Sequence, residues 1–401
     1  MKKILAILLA VMMIATVVAC AAAPAETTTD DPAETETPEV VEPDPEPDPE
    51  PDPEPEPEPE PEVEATGELR ADVFWYTFAD TFLASVRNDM IELEAQFPNL
   101  NFVHHDSMDS QTTQTEQIQT AVTQGTDLLV VNIVTTGAED VAMNIVNIAR
   151  DAGVPVLFFN REVSDAVIQS YDDAAFIGTW APEAGEFQGM AIAEFLLSGD
   201  NIETFDVDGD GYIRYIMLRG EHGNMEAFYR TLFSVQVANE MLAGSGVQLV
   251  PSAANETSTL YEDDGISNYF LYANWSASEA FNLVNTALSA HSPAAGDIEL
   301  VIANNDDAAL GAIQALQEIG FNTGDMPMVP VFGVDATDVA VIAINDGTMT
   351  GTVKQDGTGM ARAVLDLANN IANGEHLMAN TGHHNIDTGV AKIRIPHAIV
   401  S

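Results

Sequence analysis

Cysteine and basic residues are both scarce in this chain. Its 401 residues include one cysteine, so no intrachain disulfide can form. Lys and Arg together number 13 against 64 Asp and Glu, which gives a formal net charge of −51 at pH 7. Nucleic-acid binding and docking on anionic lipid both require a basic surface. The shortage of positive charge therefore argues against both functions and is typical of a soluble surface protein.

Several motifs of enzymes and regulators are also absent. The chain has no G-x-x-x-x-G-K-[ST] phosphate loop, no G-x-S-x-G nucleophile elbow and no helix-turn-helix pattern. The pairs His104–His105 and His383–His384 lack a completing set of ligands at the spacing of a zinc site. We therefore expect these histidines to lie in loops or on the surface.

The first residues have the pattern of a secretory signal. Lys2 and Lys3 precede a short, uncharged apolar run that ends at Cys20. The run is shorter than the ~20 apolar residues that a membrane span needs. Residues 17–20, Val-Val-Ala-Cys, resemble the lipobox of bacterial lipoproteins, which implies a signal peptide of residues 1–19 and lipidation of Cys20. An ordinary secretory signal with an incidental cysteine is the alternative.

Residues 20–68 are predicted to form a disordered, acidic, proline-rich tether. Proline alternates with Asp or Glu from Glu42 to Glu62, and residues 21–68 contain 19 acidic residues and no Lys or Arg. Such a segment buries too little apolar surface to fold, and its prolines and like charges extend it at up to ~3.1 Å per residue. Residues 69–401 still hold 45 acidic against 11 basic residues, so the globular part is acidic as well.

The rest of the chain alternates between apolar strands and amphipathic helices. Continuous apolar runs at 128–134, 156–159 and 300–303 predict central strands of parallel sheets. Apolar residues recur at helical spacing between these runs, as at 83–93. The alternation predicts an α/β fold with helices on both faces of parallel sheets. The length exceeds what one hydrophobic core usually serves, which predicts two lobes.

Polar residues follow the predicted strands, where ligands of such folds bind. A sugar site needs amides and charged groups for the hydroxyls and an aromatic face for the ring. Each candidate alone also suits an ordinary helix cap or core position, so their clustering carries the prediction. The polar candidates are Asp80, Asn160, Glu226, Arg230, Asn305 and Asp335, and the stacking faces are Phe82 and Trp275.

Five blocks of the sequence resemble the periplasmic galactose/glucose-binding protein family. They are residues 76–87, 154–160, 298–306, 331–336 and 351–356, within a resemblance that runs from Val73 to the C-terminus. The most specific blocks are Ile-Glu-Leu-Val-Ile-Ala-Asn-Asn-Asp at 298–306 and Val-Phe-Gly-Val-Asp-Ala at 331–336. The resemblance implies the type I periplasmic binding protein fold, with two Rossmann-like lobes joined by a three-segment hinge.

The hinge crossings are expected near Gly178, Lys354 and Arg394. The N-terminal lobe would then comprise residues 69–178 and 356–394. The C-terminal lobe would comprise residues 179–355 and 395–401.

The resemblance also implies ten ligand-binding residues. Those that match the family are Asp80, Asn160, Arg230, Asn305 and Asp335 for hydroxyl groups, and Phe82 and Trp275 as aromatic walls. Three depart from it: Asn224 replaces a histidine, Glu226 an aspartate and Gln355 an asparagine. All three keep a polar group, but a one-methylene change can alter discrimination by ~1–3 kcal/mol. The departures therefore bear on which sugar is preferred.

Residues 206–211 have the D-x-D-x-D-G spacing of an EF-hand loop, although Met217 stands where the final Glu belongs. The family resemblance implies a structural Ca²⁺ whose distant carboxylate is Glu299. Arg214 occupies a position where the family has a glutamine ligand, and a cation there cannot ligate. An acidic turn without metal is the alternative. The implied ligands are Asp206, Asp208, Asp210, Tyr212 through its carbonyl, and Glu299.

The implied function is that of a monomeric, lipid-anchored, extracytoplasmic binding protein of a sugar ABC importer. Galactose or glucose would bind between the lobes, and the membrane permease would recognise the closed form, with no chemistry on the sugar. One alternative is a sensor whose closed form signals to a chemoreceptor or kinase; another is a binder of a pentose or a galactoside. A hydrolase would need two carboxylates facing across a bond, for which Asp80, Glu226 and Asp335 could be mistaken.

Overall fold

The computed structural model describes residues 68–257 and 270–400. The predicted signal peptide, Cys20 and all but the last residue of the predicted tether lie outside the described residues. Among the helices of the described part, none is both long and apolar enough to cross a membrane.

The elements alternate between strands and helices along the chain. The first group is β1 (Leu69–Trp75), α1 (Thr81–Glu94), β2 (Leu100–Asp106), α2 (Gln111–Thr123), β3 (Leu128–Val131), α3 (Glu139–Ala152), β4 (Val156–Phe159), α4 (Asp165–Gln169) and β5 (Ala174–Gly178). The second is α5 (Ala181–Leu197), α6 (Asn201–Phe205), β6 (Tyr212–Arg219), α7 (Met225–Met241), β7 (Gln248–Pro251), β8 (Leu271–Tyr272), α8 (Ala277–Leu288), β9 (Leu300–Ala303), α9 (Asp306–Glu318), β10 (Val331–Phe332) and α10 (Asp338–Asn345). The last is β11 (Thr352–Gln355), α11 (Gly357–Ala372), β12 (Asn385–Ile386), β13 (Lys392–Arg394) and β14 (His397–Val400).

Two largely parallel sheets are formed by the described residues, one in each lobe. The N-terminal lobe has the strand order β12-β13-β5-β4-β3-β1-β2, in which only β12 runs antiparallel to its neighbour. The C-terminal lobe has the order β10-β9-β6-β7, with β8 also paired to β6, and all its pairs are parallel. The predicted α/β fold with parallel sheets is confirmed.

Helices cover both faces of the N-terminal sheet, which explains why its central strands are apolar throughout. Every residue of β3 and β4 is buried. Helices α1 and α11 pack on one face, and α2 and α3 pack on the other. Because both faces lie against helices, neither strand shows the alternating pattern of a half-exposed sheet.

The three predicted crossings between the lobes fall at the ends of β5, β11 and β13. Strands β11 and β14 pair with each other in a separate antiparallel ribbon. The Arg394 guanidinium donates to the Thr179 carbonyl at 2.8 Å, and the His397 backbone N–H donates to Glu183 at 2.9 Å. The strands of the two sheets fall within the lobe ranges expected from the sequence, and the lobe boundaries themselves stay a prediction.

Helices α5 and α7 approach closely at two glycines. A Cβ atom placed on Gly185 would lie 2.4 Å from the Tyr229 carbonyl oxygen, and one on Gly189 would lie 2.9 Å from the Ser234 carbonyl oxygen. Both contacts are with the backbone of α7, so no side-chain rotation can relieve them. The close packing of α5 on α7 therefore requires a residue without a side chain at both positions.

We predict that Gly185→Ala destabilises the protein by ~1–3 kcal/mol, the usual cost of overpacking a core. In an uncrowded helix the same change would stabilise by up to ~1 kcal/mol, so the sign of the effect is informative. Urea unfolding measures the difference. Gly382→Ala is the matched control, because a Cβ there meets no atom within 4 Å. Equal stability of the two variants would show that the helices separate freely.

A buried carboxyl links three segments of the C-terminal lobe. Asp306, at the start of α9, is fully buried. Its Oδ1 accepts a hydrogen bond from the Thr352 hydroxyl at 2.6 Å, and its Oδ2 accepts one from the Thr337 backbone N–H at 2.8 Å. Burial raises the pKa of Asp306 to about 7, although these hydrogen bonds favour the charged form. The carboxyl thus joins β11 and the start of α10 to α9 at an electrostatic cost.

That raised pKa predicts a pH dependence of stability. Between the ordinary aspartate value of ~3.9 and about 7, the folded state holds a proton that the unfolded state releases. The contribution of this proton to the free energy of unfolding is fully present below the pKa of Asp306 in the unfolded state. It is lost as the pH rises through the pKa of Asp306 in the folded state. Asp306→Asn, whose amide can still accept from Thr337, should therefore lose less stability than the parent between pH 4 and 7. Parallel losses, measured by urea unfolding, would contradict a raised pKa.

Candidate functional site

One small cavity gathers most of the residues expected from the sequence. It has a volume of about 40 Å³ and lies where strands of both sheets end. Nine of the ten predicted ligand-binding residues line it, together with Arg161. The lining residues are Asp80, Asn160, Arg161, Asn224, Glu226, Arg230, Trp275, Asn305, Asp335 and Gln355.

The N-terminal lobe contributes residues that follow β1 and β4. Asp80 is the N-cap of α1: its Oδ1 accepts from the Leu83 N–H at 2.8 Å and its Oδ2 accepts from the Tyr76 hydroxyl at 2.8 Å. The Arg161 guanidinium lies 3.6 Å from the centre of the Tyr76 ring. Asn160 accepts from Asn132 at 3.2 Å and has a φ of 61°. These contacts fix the polar groups on this side before any ligand binds.

The C-terminal lobe contributes an ion-pair network. The Arg230 guanidinium donates to Glu226 Oε2 at 3.0 Å and to the Asn304 carbonyl at 2.7 Å, and it lies 3.7 Å from Asp335 Oδ1. Burial raises the pKa of Asp335 well above its ordinary value, and the charge of Arg230 opposes that rise. Glu226 and Arg230 are one helical turn apart on α7, so the helix itself sets their pairing.

Two helix N-caps and an indole ring complete the C-terminal side. Asn224 caps α7 and Asn305 caps α9, each through its side-chain oxygen. The Asn305 amide also donates to the Trp275 carbonyl at 3.0 Å. The Trp275 ring lies against Gly220, where a Cβ atom would come within 2.3 Å of it. A side chain at Gly220 would therefore displace the ring from the cavity wall.

The cavity contains polar atoms without partners and backbone under strain. Trp275 Nε1 and Gln355 Oε1 are buried and have no hydrogen-bond partner in the described structure. Trp275 has a φ of 63° and Asp335 a φ of 124°, values that are costly for residues other than glycine. Buried polar groups normally have partners, so a donor and an acceptor left open in one cavity suit a ligand with hydroxyl groups.

The structure does not bring Phe82 to this cavity. Its side chain is buried in the core of the N-terminal lobe, and Phe82 Cε2 would lie 3.5 Å from a Cβ placed on Gly357. Its role as an aromatic wall stays a prediction. Arg161, by contrast, lines the cavity but was not assigned a role from the sequence. It follows Asn160 after the end of β4, among the strand-end positions where the sequence predicts ligand contacts.

Contacts between the lobes flank the cavity. Arg161 pairs with Glu221 at 2.9 Å, and the Thr136 hydroxyl donates to the same carboxylate at 2.6 Å. The Thr81 hydroxyl donates to Asp307 at 2.9 Å. Thr81, Thr136 and Arg161 lie in the range predicted for the N-terminal lobe and the two acids in the range predicted for the C-terminal lobe, so these bonds join the two ranges across the cavity.

A larger cavity of about 430 Å³ lies beside the crossings, and none of the ten predicted residues lines it. Its cations are already paired. Lys392 contacts Glu162 and Asp165, each at 2.7 Å, and Arg394 contacts Glu162 at 2.8 Å and Asp387 at 2.7 Å. With both of its cations paired, this cavity offers a hydroxylated ligand fewer open donors than the small cavity does.

The predicted calcium loop brings part of its ligand set together. Carboxylate oxygens of Asp206, Asp208 and Glu299 lie within 4.8 Å of one another. The two Glu299 oxygens accept from the backbone N–H groups of Val207 at 2.7 Å and Arg214 at 2.8 Å. These distances place the sequence-distant Glu299 at the loop. Such a set of carboxylates suits a hard cation.

The Arg214 side chain also occupies this cluster. Its guanidinium bonds to Asp210 and lies 3.5 Å from Asp208 and 3.6 Å from Glu299. Arg214 therefore supplies positive charge to three of the five predicted ligands. A metal ion here would compete with that guanidinium for the same oxygens.

The chain matches proteins of known families along most of its length. A family model described as a periplasmic binding protein domain matches residues 71–376. The D-galactose/methyl-galactoside binding periplasmic protein MglB of Haemophilus influenzae is 31% identical over 312 residues, 78% of this chain and 84% of the relative. The ribose import binding protein RbsB of Escherichia coli is 24% identical over 303 residues, 76% of this chain and 84% of the relative.

Solved structures of solute-binding proteins share the fold of this chain. An ABC transporter solute binding protein from Bacillus halodurans with bound myo-inositol has 27% identity and a TM-score of 0.61, covering 84% of this chain and 95% of that one. One from Clostridium phytofermentans with bound β-D-glucose has 18% identity and a TM-score of 0.61, covering 83% and 94%, which shows the fold alone. This chain therefore belongs to the periplasmic binding protein family of type I fold, whose members are solute-binding proteins and not enzymes.

Proposed function

We propose that this chain is the lipid-anchored, extracytoplasmic sugar-binding protein of an ABC importer. It binds a monosaccharide between its lobes, and galactose and glucose are the expected sugars. The observation that carries the proposal is the cavity that joins nine predicted ligand-binding residues from both lobes. The galactose-binding protein of Haemophilus influenzae, 31% identical, supports the choice of sugar.

The side chains of the cavity match the chemistry of a sugar ring. Each hydroxyl both donates and accepts, so it pairs with a carboxylate on one side and with an amide or guanidinium on the other. Asp80 and Asp335 supply acceptors from opposite lobes, while Arg161 and Arg230 supply donors. The Trp275 ring offers a face on which the apolar side of the sugar can stack.

Binding requires the lobes to move. A volume of about 40 Å³ is far below the roughly 300–1,000 Å³ of ordinary small-molecule pockets. A sugar must therefore enter an open form, in which the bonds of Glu221 and Asp307 to the N-terminal lobe are broken. Closure around the ligand would then re-form them, and the closed form is what the permease would recognise.

The length of three side chains would set the choice of sugar. Asn224 and Glu226 lie at the first turn of α7, and Gln355 lies at the end of β11. Both longer side chains already have partners. The Glu226 carboxylate accepts from Arg230 at 3.0 Å, and the Gln355 amide donates to Asp335 at 2.6 Å. Their extra methylene groups narrow the cavity, which favours a compact monosaccharide over a galactoside.

Asp80→Asn tests the sugar site. Asparagine keeps the α1 cap but removes the charge that strengthens a bond to a sugar hydroxyl, so galactose or glucose affinity should fall roughly tenfold. Calorimetric titration of the full chain with galactose, glucose, ribose and xylose, with calcium present, measures this. Asp165→Asn is the matched control: its carboxyl lines the larger cavity, and its side chain is 63% exposed.

The expected result is one-to-one hexose binding that Asp80→Asn weakens and Asp165→Asn leaves unchanged. Weakening by Asp165→Asn alone would place the ligand in the larger cavity. A folded chain that binds none of the four sugars would leave the fold assignment intact and overturn the sugar proposal.

We also propose that the loop at residues 206–212 binds calcium, with Arg214 lowering its affinity. Asp206, Asp208 and Glu299 offer converging carboxylates, and Asp210 and the Tyr212 carbonyl complete the predicted set. The Arg214 guanidinium must leave these oxygens before the ion can take their lone pairs. A bound ion would supply charge that stabilises the loop.

Arg214→Gln should therefore bind calcium more tightly than the parent, by roughly tenfold or more, because the competing guanidinium is gone and the glutamine amide oxygen can itself ligate the ion. Calcium titration after chelator treatment gives both affinities. Arg150→Gln, which removes an exposed arginine of the N-terminal lobe, is the control and should change nothing. Tighter binding in neither variant would mean that Arg214 does not compete.

A further inference from the structure

A second group of potential metal ligands lies in the N-terminal lobe, outside both sites described above. Asp366 lies on α11, and His383 and His384 lie in the segment between α11 and β12. One ligand atom from each lies within 4.8 Å of the others. Asp366 precedes His383 by 17 positions in the sequence, so the histidine pair alone gave no complete set of ligands.

The orientation of His383 suits a ligand. Its Nδ1 lies 3.1 Å from the Asn380 carbonyl oxygen, which can only accept, so Nδ1 carries the proton. In a neutral ring Nε2 then holds a lone pair, and it lies 3.4 Å from Asp366 Oδ2. A hydrogen bond from the other ring nitrogen to a carbonyl is the usual support of a metal-binding histidine.

His384 directs a second nitrogen to the same carboxylate. Its Nε2 is buried, lies 3.3 Å from Asp366 Oδ2 and has no hydrogen bond of good geometry in the described structure. Two ring nitrogens thus converge on one carboxylate oxygen.

We propose that Asp366, His383 and His384 bind a divalent transition metal ion of the Zn²⁺ class. Two imidazoles and one carboxylate bind zinc, nickel and copper in preference to calcium and magnesium. Three protein ligands leave the remaining coordination to water. The site differs in chemistry from the loop at residues 206–212, which offers oxygen ligands alone.

The ion would fasten the chain that follows α11 back onto that helix. This segment is already held by the Asn370 amide, which donates to the Leu377 carbonyl at 3.1 Å, and by the Leu377 side chain, which is buried in the core. It leads to β12 and to β13, which ends at Arg394, the position of a predicted crossing to the other lobe. The ion would therefore stabilise the N-terminal lobe without entering the cavity between the lobes.

Zinc titration of the chelator-treated full chain tests the proposal, with calcium in excess to occupy the oxygen loop. We expect one zinc per chain and a rise in melting temperature that a chelator reverses. His383→Gln/His384→Gln should weaken zinc binding by at least ~tenfold, because loss of a ligand costs no less than loss of its supporting group. His376→Gln, an exposed histidine of the same segment, should bind zinc as the parent does.

Asp366→Asn serves as a second variant should the double substitution disturb folding, and it should lose zinc binding equally. Galactose or glucose affinity, measured on the same samples, should be the same in all of them. The proposal is overturned if the parent binds zinc no more tightly than the double variant, or if His376→Gln loses as much affinity.

Discussion

Arg230 is the group on which the C-terminal side of the cleft depends. Its guanidinium reaches Glu226, Asp335 and the Asn304 carbonyl from one buried position. Burying an ionised carboxylate costs roughly several kcal/mol before any pairing. Two unpaired carboxylates in one cavity therefore cost more than one. Removing Arg230 would leave the buried Asp335 carboxyl without the positive charge that opposes the burial-driven rise of its pKa.

Because positive charges are scarce in this chain, the positions of its few cations matter outside the cleft as well. The chain has 13 Lys and Arg residues in all, and several are placed where carboxylates meet. Arg161 joins Glu221 across the lobes, Arg214 joins the acidic loop, and Arg394 joins Glu162 and Asp387 beside a crossing. In a protein with a large acidic excess, each of these cations ties together segments that would otherwise repel.

Sequence patterns predicted the centre of the fold better than its edges. Strands β3, β4 and β9 are short apolar runs that are buried on both faces, so composition alone reveals them. Strands β12, β13 and β14 have two to four residues each, and β12 is exposed. They are strands because of partners far away in the sequence, such as β5 for β13, and no local pattern encodes that pairing.

The same limit applies to the cleft. The rule that ligands bind at strand ends, with the family resemblance, identified nine of the lining residues because backbone position decides where they lie. Which way a side chain turns depends on distant neighbours. Phe82 packs beside Gly357, and Arg161 turns toward Glu221, 60 residues away. Asp366 and the two histidines meet only because the chain doubles back after α11.

Electrostatics across the cleft links these observations to closure. Burial raises the pKa of Asp307 and Asp335 on the C-terminal lobe, and the charge of Asp80 on the N-terminal lobe adds to that rise, which means that closing brings like charges together. Closure without a ligand therefore works against repulsion, and the bonds of Thr81 and Arg161 to the opposite lobe must offset it. Under the proposed function, sugar hydroxyls would donate to Asp80 and Asp335 at once. A ligand that replaces repulsion with shared hydrogen bonds has a higher affinity for the closed form, and that difference is what a ligand needs in order to shift the equilibrium between open and closed lobes.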